Sequence, residues 1–450
     1  MNGVKEKIVL QYDNTVSFFT DAFARLRVHE GFRRYFKNTG WIFVGKIITM
    51  IVAFFVTAYL ARYLGPSNYG ILSYAISFSG LFSFIASLGI DNILFRELVA
   101  HPDEQRKYFG TALMLKFIGA FFAFLLVCVV SAVLNGISLT TIMIAIIAAS
   151  FFFQPFSIIS YYFQSKVISR NPTIMSIIVA VTLSVLKIIF VILGVNVFYF
   201  SFIFMSETIL YAIGYVYLYH KEAHSVFHWY FNSSIAKRML MDSWPIILAA
   251  AFTAIYSRID QIIIGQLMNS AAVGLYDVAA RLSEAWYFFP AAIVSSLFPA
   301  IINAKKVGED FYAIRLKRLY SLLIWFSLGI IVPIFILSHV VVVFLYGSAY
   351  GEAVPVLQIY VWAGVAVSLG VAVNQYLIAE NYTKIIFISS MVGMVTNVLL
   401  NILFIPRYGI IGGAIATLIS YSLVPLSMAF FKKTRKQLKF ILQGFVFNFK

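Results

Sequence analysis

Asp277, Arg281 and Glu284 stand at i, i+4 and i+7 in a stretch that is otherwise apolar. On a helix that spacing puts all three on one face, where they either neutralise one another or hold a ligand of complementary charge. Arg258 and Asp260 are two residues apart, so about 200° separates them around a helix and they cannot both point straight into one space. A guanidinium offers paired, planar donors to an anionic group, which a lysine ammonium does not. The alternative for Arg258 is an ion pair with Asp277 or Glu284 that fastens two helices together. Five more ionisable residues interrupt apolar stretches: Lys46, Asp91, Lys116, Lys187 and Glu207. Lys116 is expected to snorkel to a lipid headgroup, and Lys46 either to snorkel or to face an interior cavity. Lys187 and Glu207 are expected to pair with each other, and Asp91 with Arg96. Charge in an apolar medium is expensive, so each such residue marks a pathway or a structural pair.

The elements that carry these residues read as membrane spans. The 450-residue chain is 61% hydrophobic and 12% charged, with a mean hydropathy of +0.90, whereas soluble domains are roughly half apolar. Twelve stretches are long enough for the ~20 helical residues a bilayer core requires: 40–62, 69–95, 108–133, 138–163, 172–193 and 197–219, then 243–266, 273–302, 319–345, 353–379, 384–405 and 410–431. Of the 34 lysines and arginines, 27 fall on one side of these spans, 2 (Arg62 and Arg407) on the other, and 5 within them. That asymmetry orients the chain with both termini cytoplasmic.

The formal charge of +16 is spread over short connections and the two ends without a nucleic-acid-binding signature, so nucleic acid is not an expected partner. Cys128 is the single cysteine and excludes an internal disulfide. No G-x-x-x-x-G-K-[ST] loop occurs, and the connections opposite the basic side are short turns that leave no room for a catalytic domain. The chain therefore reads as a non-enzyme with no catalytic residues, cofactor or bound metal.

Five regions follow: a basic amphipathic cytoplasmic arm (1–39) suited to an anionic leaflet, spans one to six (40–219), a cytoplasmic linker (220–242), spans seven to twelve (243–431) and a basic tail (432–450). His220, His224 and His228 recur at helical spacing in the linker but lack a carboxylate or cysteine to complete a metal site. Pro155 and Pro290 fall inside the fourth and eighth spans, where a missing backbone donor kinks a helix. LGPSNYGILSYA (64–75) matches MNSAAVGLYDVA (268–279) at an offset of 204, aligning Gly70 with Gly274 and Ala75 with Ala279. The same offset superposes the first span on the seventh in the same orientation, as two parallel six-helix halves would require.

Several turn motifs carry a family likeness. Ala61-Arg62-Tyr63-Leu64-Gly65-Pro66 followed by Tyr69-Gly70, Arg258-Ile259-Asp260 followed by Val273-Gly274-Leu275-Tyr276, Tyr346-Gly347 with Tyr350, and Tyr408-Gly409-Ile410-Ile411-Gly412-Gly413-Ala414 resemble the Wzx-type oligosaccharide flippases of the multidrug/oligosaccharidyl-lipid/polysaccharide (MOP) exporter superfamily. The resemblance covers residues 40–431. It implies an all-α polytopic membrane protein of twelve transmembrane helices, in two lobes around a central cavity with alternating access. The implied home is the bacterial cytoplasmic (inner) membrane, and the implied cargo is an undecaprenyl-diphosphate oligosaccharide, moved from the cytoplasmic to the external leaflet for cell-surface polysaccharide.

On that reading Arg258, Arg281 and Lys46 would contact the diphosphate or acidic sugar, while Asp260, Asp277, Glu284 and Glu207 would serve ion coupling or charge pairing. Na+ or H+ is the implied coupling ion. Implied partners are membrane lipids and the polymerase and chain-length regulator of a polysaccharide pathway. Two alternatives stand beside it: a cation-coupled multidrug exporter of the same superfamily, which calls for a cavity of carboxylates and aromatics, and a polysaccharide-polymerising membrane enzyme, which calls for a sizeable external loop.

Overall fold

A backbone in hydrocarbon must satisfy its hydrogen bonds internally, and an apolar chain of this kind does so as helices. The computed structural model describes residues 30–222, 225–306 and 308–445, with side chains from Lys37 onward. Among the described residues there is no strand. Ten helical segments among the described residues are long and apolar enough to cross a membrane: α1 Lys37–Leu81, α2 Pro102–Asn135, α3 Leu139–Ser165, α4 Arg170–Ile192, α5 Val197–Lys221, α6 Ser233–Leu267, α7 Ser270–Lys305, α8 Glu309–Ile336, α9 Ala353–Ala379 and α10 Thr383–Phe430.

Two of these are too long for a single crossing. α1 and α10 contain 45 and 48 residues, roughly 70 Å if straight, against a hydrocarbon core of about 30 Å. Each is broken at one glycine in the left-handed region, Gly65 (φ 69°) and Gly409 (φ 60°). A side chain would be strained at such a φ, and Pro66 and Pro406 beside the breaks remove backbone donors. Both breaks fall in the turns expected between paired spans. Pro155 sits in a 3₁₀ stretch inside α3, and Pro290 in the first turn after a break at 285–287 in α7.

The second expected span ends early. α1 stops at Leu81, a short helix covers Ser83–Ser87, and Leu88 and Gly89 take positive φ before a separate helix, Asp91–Ala100. Asp91 is therefore redirected toward α2, where it pairs with Lys116. The expected Asp91–Arg96 pair does not form: Arg96 binds Glu97 and Asp242, each at 2.9 Å. Lys116 does not snorkel either. Its side chain is only 3% exposed because Asp91 neutralises it in place.

α1 packs on α4, α2 on α3 and α4 on α5, while α6 packs on α10, α7 on α8 and α9 on α10. One apolar cluster, from Val294 to Ile441, belongs to the second group alone. Another joins Ile90–Leu115 and Ile158–Phe163 to Ile235, Ala236 and Met239 of α6. α6 thus starts at Ser233, before the expected residue 243, and its first turns dock on the first half of the chain. The amphipathic arm lies outside the described residues up to Glu30, and so does His224 of the histidine series. The basic tail forms a helix, Arg435–Gly444, anchored on α8 by Tyr320 donating to Gln437 at 3.1 Å.

Candidate functional site: a cationic cavity beneath an inter-half seal

α1 and α7 meet closely because small residues let them. A Cβ on Gly70 would lie 1.7 Å from the Ser270 carbonyl oxygen, and one on Gly274 would lie 2.2 Å from that of Pro66. These two glycines are the residues aligned by the 204-residue repeat, and they face each other as equivalent positions at a twofold axis do. The contact sits at the charge-poor end of the spans.

One turn below this crossing lies a buried polar cluster. Asp277 on α7 is wholly inaccessible. Its Oδ2 accepts from Tyr69 Oη at 2.7 Å and Ser73 Oγ at 3.0 Å, both on α1, and from Arg281 Nε at 2.5 Å. Its Oδ1 accepts from Gln261 Nε2 at 3.1 Å, and Ser77 Oγ donates to Gln261 Oε1. Gln266 adds bonds to Tyr74 Oη (2.7 Å) and Asn135 Oδ1 (2.8 Å). A carboxylate removed from water is tolerable only when fully paired and bonded, and half of these donors come from the opposite half of the chain.

Beneath the seal is a cavity of about 430 Å³ lined by one face of α1, including Met50, Phe54 and Thr57, together with Arg258, Arg281, Glu284, Phe288 and Tyr346. The side chains of Arg258 and Arg281 are 36% and 34% exposed. Arg258 Nη2 lies 3.7 Å from Glu284 Oε2, and Glu284 Oε1 accepts from Tyr360 Oη at 2.9 Å. Arg281 and Asp277 form the tight i, i+4 pair, so the expected common face of Asp277, Arg281 and Glu284 is realised. Two guanidinium groups against one accessible carboxylate leave the lining cationic, suited to an anionic group.

Asp260 points away from Arg258, as their spacing requires. It is buried in the second half, accepting from Tyr276 Oη at 2.5 Å and Thr417 Oγ1 at 3.3 Å. Lys46 does not line the arginine cavity. Its ammonium sits 5.0 Å from the centroid of Phe288, whose ring does line it, and faces a neighbouring cavity of about 280 Å³ with Gln164, Thr173 and Tyr215. Lys187 and Glu207 are near enough for their charges to act on each other but make no direct ion pair: the Lys187 ammonium lies 4.9 Å from the Phe204 centroid, one turn before Glu207. Among the described residues no group of His, Cys, Asp or Glu is placed to hold a metal ion.

Sequence reasoning missed Tyr69, Ser73, Gln261 and Tyr360. For Ser73 the signal was available, because the repeat offset that pairs Gly70 with Gly274 also pairs Ser73 with Asp277. Tyr69 stands in the quoted Tyr69-Gly70 motif, which gave it no role as a donor, and Gln261 and Tyr360 carry no charge and follow no distinctive pattern.

Helix layout and composition together define a polytopic helical membrane protein. Residues 35–305 match a family described as polysaccharide biosynthesis protein, and the chain belongs to that family. Its fold is shared with the lipid II flippase MurJ in an inward closed conformation (TM-score 0.66, 18% identity, 90% of each chain). It is shared equally with an inward-facing multidrug resistance MATE family transporter of the MOP superfamily (TM-score 0.67, 11% identity, 89% of this chain and 96% of that one). The resemblance read from the turn motifs is thereby borne out.

Among curated relatives, the probable flippase AglR of Haloferax volcanii is 28% identical over 184 residues, 37% of this chain and 36% of that protein. The probable low-salt glycan biosynthesis flippase Agl15 of the same organism is 26% identical over 212 residues, 43% and 44% of the two chains. The chain thus spans less than half the length of these archaeal relatives. The capsular polysaccharide biosynthesis protein CapF of Staphylococcus aureus matches at 20% identity across 88% of this chain and 99% of its own.

Proposed function

We propose that the protein is a flippase that carries a lipid-linked oligosaccharide, with an undecaprenyl-diphosphate carrier, from the cytoplasmic to the external leaflet for cell-surface polysaccharide synthesis. The observation that carries this reading is the pair Arg258 and Arg281, two guanidinium groups opening on one cavity beneath the seal between α1 and α7. A diphosphate would be held by their forks while the polyprenyl tail stays in lipid. Splitting α1 at Gly65 and α10 at Gly409 turns ten helical segments into twelve spans, and we read them as two six-helix lobes in the cytoplasmic membrane with both termini inside. No covalent step is required of the chain.

Na+ or H+ moving down its gradient would drive the cycle, with Asp260, Asp277, Glu284 and Glu207 as the intramembrane carboxylates available to it. The polymerase and chain-length regulator of the pathway are the partners this reading implies. Deleting the gene tests it: lipid-linked oligosaccharide should accumulate on the cytoplasmic leaflet and a surface polymer should disappear. Unchanged surface polysaccharide together with increased sensitivity to cationic drugs would instead assign the protein to drug export.

A further inference from the structure

Arg281 belongs to both the seal and the cavity. Its Nε is spent on Asp277 Oδ2, the same oxygen that accepts from Tyr69 and Ser73 of the opposite half. Its two terminal nitrogens make no hydrogen bond among the described residues, and its side chain lines the cavity. One planar group therefore presents an engaged edge to the seal and an open fork to whatever enters below it.

We infer that Arg281 couples occupancy of the cavity to opening of the seal: an anionic group bound at its free fork competes for the guanidinium charge that keeps Asp277 stable in its dry surroundings. Asp277 is then left under-compensated in its dry surroundings, so water competes with Tyr69 and Ser73 for its oxygens and rehydration of the cluster becomes less costly. The carboxylate is the weak point of the seal because, among the described residues, it has no other cation within ion-pair distance. Gly70 and Gly274 supply the close fit, and Asp277 supplies the release. This rests on reading the cavity as an anion site. It goes beyond that reading by giving Arg281 a coupling role that Arg258, paired only with Glu284 across a looser 3.7 Å, does not have.

Linkage makes the inference reciprocal: the factor by which an anion favours the open seal is the factor by which the open state binds the anion more tightly, so weakening the seal must tighten apparent anion binding. Inorganic diphosphate is the probe. Full-length protein carrying Cys128→Ser, with spin labels on Asn68→Cys just after the break in α1 and Met268→Cys just past the end of α6, is placed in lipid nanodiscs. Diphosphate affinity is measured by calorimetry and label separation by pulsed EPR. Saturating diphosphate should shift the wild-type background about tenfold toward the longer separation.

Tyr69→Phe, which removes one hydroxyl bonded to a charged acceptor, should shift it about tenfold without ligand and tighten diphosphate binding several-fold. Arg281→Lys keeps a positive charge but cannot serve Asp277 and an anion with separate edges; it should bind diphosphate within about tenfold of wild type and no longer widen on binding. Binding with wild-type widening in Arg281→Lys, or binding without widening in the wild-type background, overturns the coupling and leaves the anion site standing. Absence of any diphosphate binding in the wild-type background overturns the anion site itself and the coupling with it.

Discussion

At the scale of the residue, the two roles the sequence leaves open for Arg258, ligand contact and helix glue, predict different behaviour of its variants. Arg258 is partly exposed and meets Glu284 at 3.7 Å, a long contact that makes it a loose fastening between the two helices. Glu284 also keeps its bond from Tyr360 when Arg258 is removed. Arg258→Ala should therefore change the melting temperature of the purified protein by no more than a few degrees while lowering transport per folded molecule at least tenfold, with Arg258→Lys recovering part of it. Parallel loss of stability and transport, with both restored by adding Glu284→Gln, would make Arg258 structural. Asp260 is the opposite case, since its carboxylate is enclosed by Tyr276 and Thr417. In Asp260→Asn two hydroxyl donors lose a charged acceptor, and the melting curve should report destabilisation of about 1–3 kcal/mol.

At the scale of the element, the α1–α7 crossing and the clasp made by the first turns of α6 hold the two halves together at opposite ends. At the crossing, a methyl group at Gly70 or Gly274 would meet carbonyl oxygens rather than a yielding side chain. Gly70→Ala should leave the protein inserted and folded, because α1 can move away from α7 as a unit. It should also prevent closure of the seal and reduce transport below a tenth of wild type, with labels across the crossing fixed at the longer separation. The clasp works by charge. Glu97, on the helix before α2, accepts from Arg96 Nη2 at 2.9 Å, Arg238 Nη2 at 3.1 Å and Tyr108 Oη at 3.0 Å, with His101 Nε2 at 3.7 Å. Burial pushes its carboxyl up, but the bonds from Arg96 and Tyr108 and the charge of Arg238 outweigh it and hold the group below its ordinary value of 4.5. A carboxyl depressed in the folded state lends stability above its unfolded pKa and loses it as pH falls through the folded one. The melting-temperature advantage of wild type over Glu97→Gln should accordingly be full at pH 7 and shrink steadily below about pH 4.5. An advantage independent of pH would show that packing, not ionisation, explains it.

At the scale of the whole molecule, the sequence made the helical membrane architecture legible because lipid leaves the chain few choices: apolar length and basic asymmetry are single-residue properties that survive without tertiary knowledge. What escaped were relations between helices. Asp91 pairs with Lys116 rather than Arg96 because the chain turns at Leu88 and Gly89, and Lys187 meets Phe204 rather than Glu207. Neither turn nor rotation about a helix axis is written in hydropathy. The repeat, by contrast, predicted more than a duplicated topology, since its paired residues Gly70 and Gly274 touch. That contact constrains orientation: α1 beyond Gly65 and the start of α7 must both have their charge-poor ends on one side. Reporter fusions decide which side it is. Fusions after Lys107, Lys237 and Lys436 should report cytoplasm, and fusions after Asn135, Asn269 and Gly351 the outside, because the basic connections remain where the membrane potential and the anionic leaflet favour them. Asn135 and Asn269 lie on either side of the seal, so they must agree with each other whatever the polarity. An opposite signal at one of them would break the packed crossing as well as the twelve-span count, whereas inversion of all six would preserve the fold and reverse the direction proposed for the cargo.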